Sequence, residues 1–366
     1  MKFTNFKTIK LATAPATGDN PPPGVVYEWH SLDGSNNLII NYRLSDGTDK
    51  TFAAGTAYEL PAASNSTLGG VKIGAGLTIT NGVLSAAGNN SAGTVAILTT
   101  SQTWTVPAGV TLLKDVWIIA GGGGGAAGHD RYGCGGGGAG GVNHLRDVYV
   151  TPASSLTAVI GAAGSAGTVS GTHEGGKGGD SAIAYGGVVY TAFGGGGGSA
   201  RDIINSTVNG GSGGGGGTGA PDGGTGIAST LGQITIIEGQ GNHGGTCSGG
   251  IKGGGGGGYS HRGGNYDDAS LPGKGGDGID LRAYVGTSLG DGGWFAAGGG
   301  GSFANAITGS QATGGKGGGG AGGATDTSPG AVAMANTGSG GGAGGANVPS
   351  GQNGGAGSAG IIIIRY

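Results

Sequence analysis

The sequence predicts an all-β and irregular protein with almost no α-helix. A short-strand N-terminal region is followed by a glycine-rich domain of packed polyglycine II helices bounded by β-strands. Three observations predict this. Of the 100 glycines in 366 residues, 13 fall in residues 1–120 and 87 in residues 121–366. They come in runs, such as Gly121–Gly125, Gly194–Gly198, Gly213–Gly217 and Gly253–Gly258, and not at every third position, which excludes collagen. Short apolar strands punctuate the runs, for which a flexible linker would have no use.

Taken in order, residues 1–24 read as an extended arm ending in Pro21–Pro23. Residues 25–60 read as β-structure, with apolar stretches Val25–Trp29 and Leu38–Tyr42 and a strand at Lys50–Phe52. The turns are Asp33-Gly34 and Ser45-Asp46-Gly47-Thr48. Together these make an attachment arm and β region over 1–62. Residues 63–101 are a short segment: Val71, Ile73, Leu77, Ile79 and Val83 alternate on brief strands, Asn81-Gly82 forms a turn, and 88–102 is a small, polar linker. The glycine-rich domain occupies 102–366. It opens on Trp104–Thr111, continues with a strand at Asp115–Ala120, and has strand-like pieces at Leu156–Ile160, Val188–Phe193, Ile234–Ile237 and Ile361–Tyr366. Pairing the last strand near Asp115–Ala120 brings the domain's ends together.

Glycine carries the largest backbone entropy cost and brings no side chain to bury. A fold made of it must therefore be held by backbone hydrogen bonds. A polyglycine II helix has three residues per turn and directs its N–H and C=O groups sideways, toward neighbouring helices. One repeat fits this period. Gly176-Lys177-Gly178-Gly179-Asp180 recurs as Gly273-Lys274-Gly275-Gly276-Asp277, and Gly315-Lys316-Gly317-Gly318-Gly319 lacks the acid. Lys and Asp three apart share one edge of such a helix and mark it as facing solvent.

Composition excludes several classes. Seventeen basic and 20 acidic residues give net charge −3, without the basic footprint of a nucleic-acid binder. The longest aliphatic run, Ile361–Ile364, cannot span a membrane. Lysines at 2, 7 and 10 without an apolar core do not make a secretory signal. Cys134 and Cys247 make no disulfide framework; they read as two small buried thiols or as one pair. Gly171–Gly178 matches the first part of a phosphate-binding loop, but the position after Lys177 is glycine where magnesium needs Ser or Thr. Two GGxGxD matches ending at Asp180 and Asp280 lie a hundred residues apart, too far for a calcium β-roll. The six histidines have no metal spacing, and no nucleophile elbow or carboxylate pair is present. The sequence therefore predicts no enzyme, no cofactor and no metal.

What remains distinctive is a set of side chains between the glycine runs: Tyr132, Tyr259, His261, Arg262, Tyr266, Trp294 and Phe303. A polyglycine lattice offers no deep core for them, so they are expected at its surface, in the chemistry of a binding face. The alternative is that Trp294-Phe295 plugs the lattice edge.

Thr67–Ala86, TLGGVKIGAGLTITNGVLSA, resembles a short segment repeated in tailed-phage fibre proteins. The WTVPAGVT opening, the strand running into glycines and the closing GIIIIRY resemble the glycine-rich domain of phage tail proteins. The resemblance implies a bacteriophage tail fibre or tail-tip adhesin, generally homotrimeric, residing in the virion tail after assembly in the host cytoplasm. Its partners would be other tail or baseplate proteins through the N-terminal region and a bacterial surface receptor, an outer-membrane protein or polysaccharide, through the seven side chains named above. A fibre spacer is the alternative, and an ice-binding protein a more distant one.

Overall fold

The computed structural model describes residues 7–32, 38–53, 77–80, 83–86, 93–128, 132–200, 208–218, 224–225, 240–247, 252–265, 272–304, 311–325, 327–346 and 351–366. The chain divides into two compact units, Met1–Gly88 and Asn89–Tyr366. The strands expected around Val71 and Ile73 and over Ile234–Ile237, and the turns at Asp33-Gly34 and Asn81-Gly82, lie outside the described residues.

In the first unit, strands β1 (Lys7–Leu11), β2 (Val25–Leu32), β3 (Leu38–Arg43) and β4 (Asp49–Ala53) form one sheet in that order. β2, β3 and β4 are the expected antiparallel meander, and Gly47 takes φ 82° in the turn before β4. The extended arm is corrected by β1, which pairs parallel with β2 from Lys7↔Val25 to Leu11↔Trp29. Parallel neighbours need a crossover of roughly a dozen residues, and the stretch between Leu11 and Val25 supplies it. Arg43 ties that crossover to the sheet. Its Nη1 donates to the Ala16 carbonyl at 2.8 Å, and Nε and Nη2 donate to the Asp49 carboxylate at 2.6 and 2.9 Å. A separate hairpin joins β5 (Leu77–Thr80) and β6 (Val83–Ala86), as the alternation predicts.

The second unit begins earlier than the expected boundary at 102, because the linker residues Val95–Leu98 form a strand, β7. β8 (Gln102–Thr105), β9 (Leu112–Ile119), β10 (Val142–Tyr149), β11 (Ser155–Val159), β12 (Ser181–Tyr185) and β13 (Val188–Ala192) follow. After them come β14 (Ile279–Asp280), the single-turn α1 (Arg282–Val285), β15 (Trp294–Phe295) and β16 (Ile361–Arg365). One sheet has the order β10-β9-β16-β7 and another β13-β12-β11-β8. β16 lies antiparallel to β9, with Ile361 opposite Ile119 and Arg365 opposite Asp115, so the domain's ends do meet.

The unbroken Ile361–Ile364 run is explained by burial on both faces of that sheet. Val116, Ile118, Ile362 and Ile364 pack with Leu98, Leu156 and Ile183 on one side. Trp117, Ile119, Ile361 and Ile363 pack with Leu281 and Phe295 on the other. At the sheet's end Asp115 accepts from Arg365 Nε at 2.8 Å, and His144 Nε2 lies 2.8 Å from its other oxygen. The His144 ring stacks on Trp117 at 4.7 Å. Burial pushes the imidazole below its ordinary pKa, against the opposing pull of Asp115.

The glycine segments pack as the three-residue period requires. Gly121, Gly124 and Ala127 donate to the carbonyls of Gly179, Gly176 and His173. Gly122, Gly125 and Gly128 donate to Ser358, Gly355 and Gln352, and Gly123 and Ala126 to Gly138 and Gly135. In each set the donor rises by three as the acceptor falls by three, so these neighbours run antiparallel. The carbonyls of this segment accept from three further segments: from Gly195 and Gly198, from Gly164 and Gly167, and from Gly341 and Gly344. One helix thus has six neighbours, joined by hydrogen bonds of 2.7–3.1 Å. The next segment repeats the scheme with a parallel neighbour, Gly136 and Ala139 donating to Gly254 and Gly257. Cys134 and Cys247 are buried here as thiols, Cys247 donating to the Lys252 carbonyl.

Two expected outcomes follow from this packing. A Cβ on Gly255 would land on the carbonyl of Lys274. Gly255→Val should therefore cost about 3 kcal/mol in chemical denaturation, against about 0.5 kcal/mol or less for exposed Ser170→Ala. His144, held below its ordinary value when folded, binds its proton more readily once unfolded. Stability should fall as pH drops below about 6.5, and His144→Gln should make the melting temperature less sensitive to pH between about 7 and 5.

Candidate functional site: a lysine and tryptophan surface around Asp277

The segment 273–278 is a lattice helix on whose solvent edge the repeat places Lys274 and Asp277. Its inner positions are fixed by backbone bonds: Gly273 donates to Gly253, and Gly276 to Gly256. On the outer edge Lys274 Nζ donates to Asp277 Oδ1 at 3.2 Å, the i,i+3 pair the sequence predicts. The Lys316 N–H donates to the same oxygen at 2.9 Å, and His261 Nδ1 lies 4.0 Å from Oδ2. Asp277 is thus the hub of three segments. Partial burial works against its charged form, but the Lys316 N–H and the Lys274 ammonium outweigh it and hold its pKa below the usual carboxylate range.

The third repeat copy turns away from the lattice instead of continuing along it. Gly317 and Gly318 have φ 124° and 93°, conformations that L side chains rarely adopt. Their N–H groups donate to Asp291 Oδ2 at 2.9 and 3.2 Å. With no acid three residues on, the Lys316 side chain extends over the ring of Trp294, Nζ lying 4.2 Å from the ring centroid. Arg282 lies 5.6 Å from the same ring and is bound to Asp280, whose pKa its side-chain hydrogen bonds hold at about 2. Trp294 is half-buried, and its Nε1 is buried without an acceptor. Beside this cluster lies an open depression of about 640 Å³, lined by Lys274, Lys316, Asp291, Thr313 and Val332–Met334 together with glycine backbone. Val332 is 69% exposed and Met334 46%.

The aromatic and basic residues singled out in the sequence have different fates. His261 and Arg262 are exposed, and His261 joins Trp294 on this surface through Asp277 and Lys316. Tyr259 is half-buried against the cluster that holds Phe295; its N–H donates to the Ala296 carbonyl at 3.0 Å, and its carbonyl accepts from Asn242. Tyr132 is half-buried in a different segment. Tyr266 lies outside the described residues. Phe303 is fully buried, which corrects its expected surface position: its backbone is bridged to Lys252 and its carbonyl accepts from Ala346, drawing the ring inside. Phe295 is likewise fully buried, packed with Trp117, Leu281 and Ile363. The expectation that the domain has no deep core fails because the two-sided sheet supplies one. Sequence reasoning missed Arg282, Asp291 and Lys316 as members of this surface. The available signal was the acid missing from the third repeat.

Among the described residues no three His, Cys, Asp or Glu side chains are placed to hold a metal ion. No helix of the described residues is long and apolar enough to cross a membrane. The model of the glycine-rich domain family matches residues 94–366. The chain belongs to that family, and the match begins just before β7, in keeping with the strand's place in the domain sheet. No curated protein matches the sequence.

Asp277→Asn should lower the melting temperature at neutral pH, by about 1 kcal/mol of stability for its charge-assisted bonds. Because the folded carboxylate has the depressed pKa, its contribution is present above the unfolded value and lost as pH falls through the folded one. The gap between the two proteins should therefore close on going from pH 7 to pH 3.

Proposed function

We propose that this chain is a phage tail fibre or tail-tip receptor-binding protein that contacts a bacterial surface receptor without covalent chemistry. One observation carries the reading. A scaffold tied together through its own backbone displays a mixed aromatic and charged surface: exposed His261 and its chain neighbour Arg262, half-buried Trp294, and the Lys274, Asp277 and Lys316 groups that link His261 to Trp294. Rings and guanidinium groups are the side chains that most often carry interface energy. The resemblance of Thr67–Ala86 to phage fibre segments and the glycine-rich family of residues 94–366 support the tail setting. In this reading the N-terminal unit attaches to other tail proteins and assembles as a homotrimer, and repeated weak sites gain strength by avidity.

The test is adsorption of phage particles carrying His261→Ala, Arg262→Ala and Trp294→Ala together, with folding checked by circular dichroism. Adsorption to the host should fall at least about tenfold, the size of a single contact worth about 1.4 kcal/mol. Unchanged adsorption by a folded variant would remove this surface from the proposal, and a spacer role would take its place.

A further inference from the structure

We propose that the depression beside Trp294 binds the anionic group of an acidic saccharide, placed between the ammonium groups of Lys274 and Lys316. This rests on the receptor-binding reading and names the ligand chemistry of that surface.

The charged groups at the depression are unequally engaged. Asp291 lines the depression, Asp277 is bonded to its two lysines, Asp280 belongs to the neighbouring Trp294 cluster, and each of the three is already engaged. Asp277 accepts from Lys274 Nζ and the Lys316 N–H; Asp291 accepts from the Gly317 and Gly318 N–H groups; Asp280 is held by Arg282. The cations differ. Lys274 spends one of its three donor protons on Asp277 and its side chain remains 56% exposed. Lys316 faces the Trp294 ring, and no carboxylate is placed against its ammonium among the described residues. The lining thus sets two lysines against one aspartate, and its unspent hydrogen-bonding capacity is cationic. An anion entering here would gain two charge-assisted contacts without displacing an existing ion pair.

The rest of the lining suits a sugar better than a bare ion. A volume of about 640 Å³ is that of a small-ligand site. Part of the lining is Val332 and Met334, apolar and exposed, matching the C–H face of a pyranose ring. The rest of the lining offers the Thr313 hydroxyl and the backbone of Gly314, Gly315, Gly318 and Gly319. The Trp294 indole lies beneath Lys316, so an anion drawing that ammonium away from the ring would alter the indole's surroundings.

The experiment titrates the full chain with galacturonic acid, with galactose 6-phosphate and with neutral galactose, following tryptophan fluorescence and calorimetric heat. Both acidic sugars, or one of them, should bind at least about tenfold tighter than galactose, weakening as salt rises. Response to one alone identifies carboxylate or phosphate as the recognised group. Lys274→Met with Lys316→Met should abolish the preference, Lys316→Arg should retain it, and Trp294→Phe should remove the fluorescence change but not the heat. Equal affinity for galactose and the acidic sugars, no binding of any, or an undiminished preference in the folded double-methionine variant would overturn the proposal. Should those results coincide with lost adsorption in the His261, Arg262 and Trp294 variant, the receptor-binding reading stands and the ligand class alone is wrong.

Discussion

A peptide group in the middle of the glycine-rich domain meets carbonyls and N–H groups of other segments on all sides, and it reaches them only because no Cβ stands in the way. Around residues 121–128 every N–H finds a carbonyl in a neighbouring segment. A Cβ on Gly123 would fall on the carbonyl of Gly196, and one on Gly125 on that of Gly342. Each bond contributes only about 1 kcal/mol net, but an unmade one inside the lattice costs about 1–3 kcal/mol. The lattice therefore holds together as a mutual arrangement. The steric emptiness of glycine permits the close approach, and the close approach compensates the glycine's lost entropy.

That arrangement needs an edge from which to start, and the β-sheets provide it. β9 delivers the chain into Gly121–Gly125, and β16 receives it after Gly360. Their pairing fixes both ends of the lattice in one sheet, and the two apolar layers on either face supply the burial that the glycines cannot. Asp115, Arg365 and His144 complete the sheet's end with a compact polar cluster stacked on Trp117. The stability of the domain is thus divided chiefly between a small side-chain core and a large backbone network.

Much of this was legible in the sequence because two periods are written plainly in it. Alternating apolar residues gave β2 to β6, and the terminal aliphatic run gave β16 and its pairing with β9. The three-residue spacing of Lys274 and Asp277 predicted their shared edge. What stayed hidden depends on contacts distant in the chain. β1 reads as an arm because its partner β2 lies beyond a proline-bearing crossover. β7 reads as a linker because its partner is the last strand of the protein. Phe303 reads as exposed because a flanking glycine run gives no hint of whether the adjoining ring turns in or out.

The Asp277 surface shows how such a lattice acquires chemistry. The two strict copies of Gly-Lys-Gly-Gly-Asp engage their acids within the fold: Asp277 accepts from Lys274, and Asp180 accepts from the Gly194 N–H. In the third copy the acid is absent, and three consequences appear together. The chain leaves the helical path at Gly317 and Gly318, the backbone N–H groups of 316–318 turn to Asp277 and Asp291, and the Lys316 ammonium is released to the Trp294 ring. None of these changes asks anything of the lattice interior, where Gly315 still donates to Gly298. A single departure from the repeat therefore converts a structural edge into a surface with unspent donors. It can do so because the hydrogen bonds holding the fold belong to the backbone, which leaves the side chains at the edge free to vary.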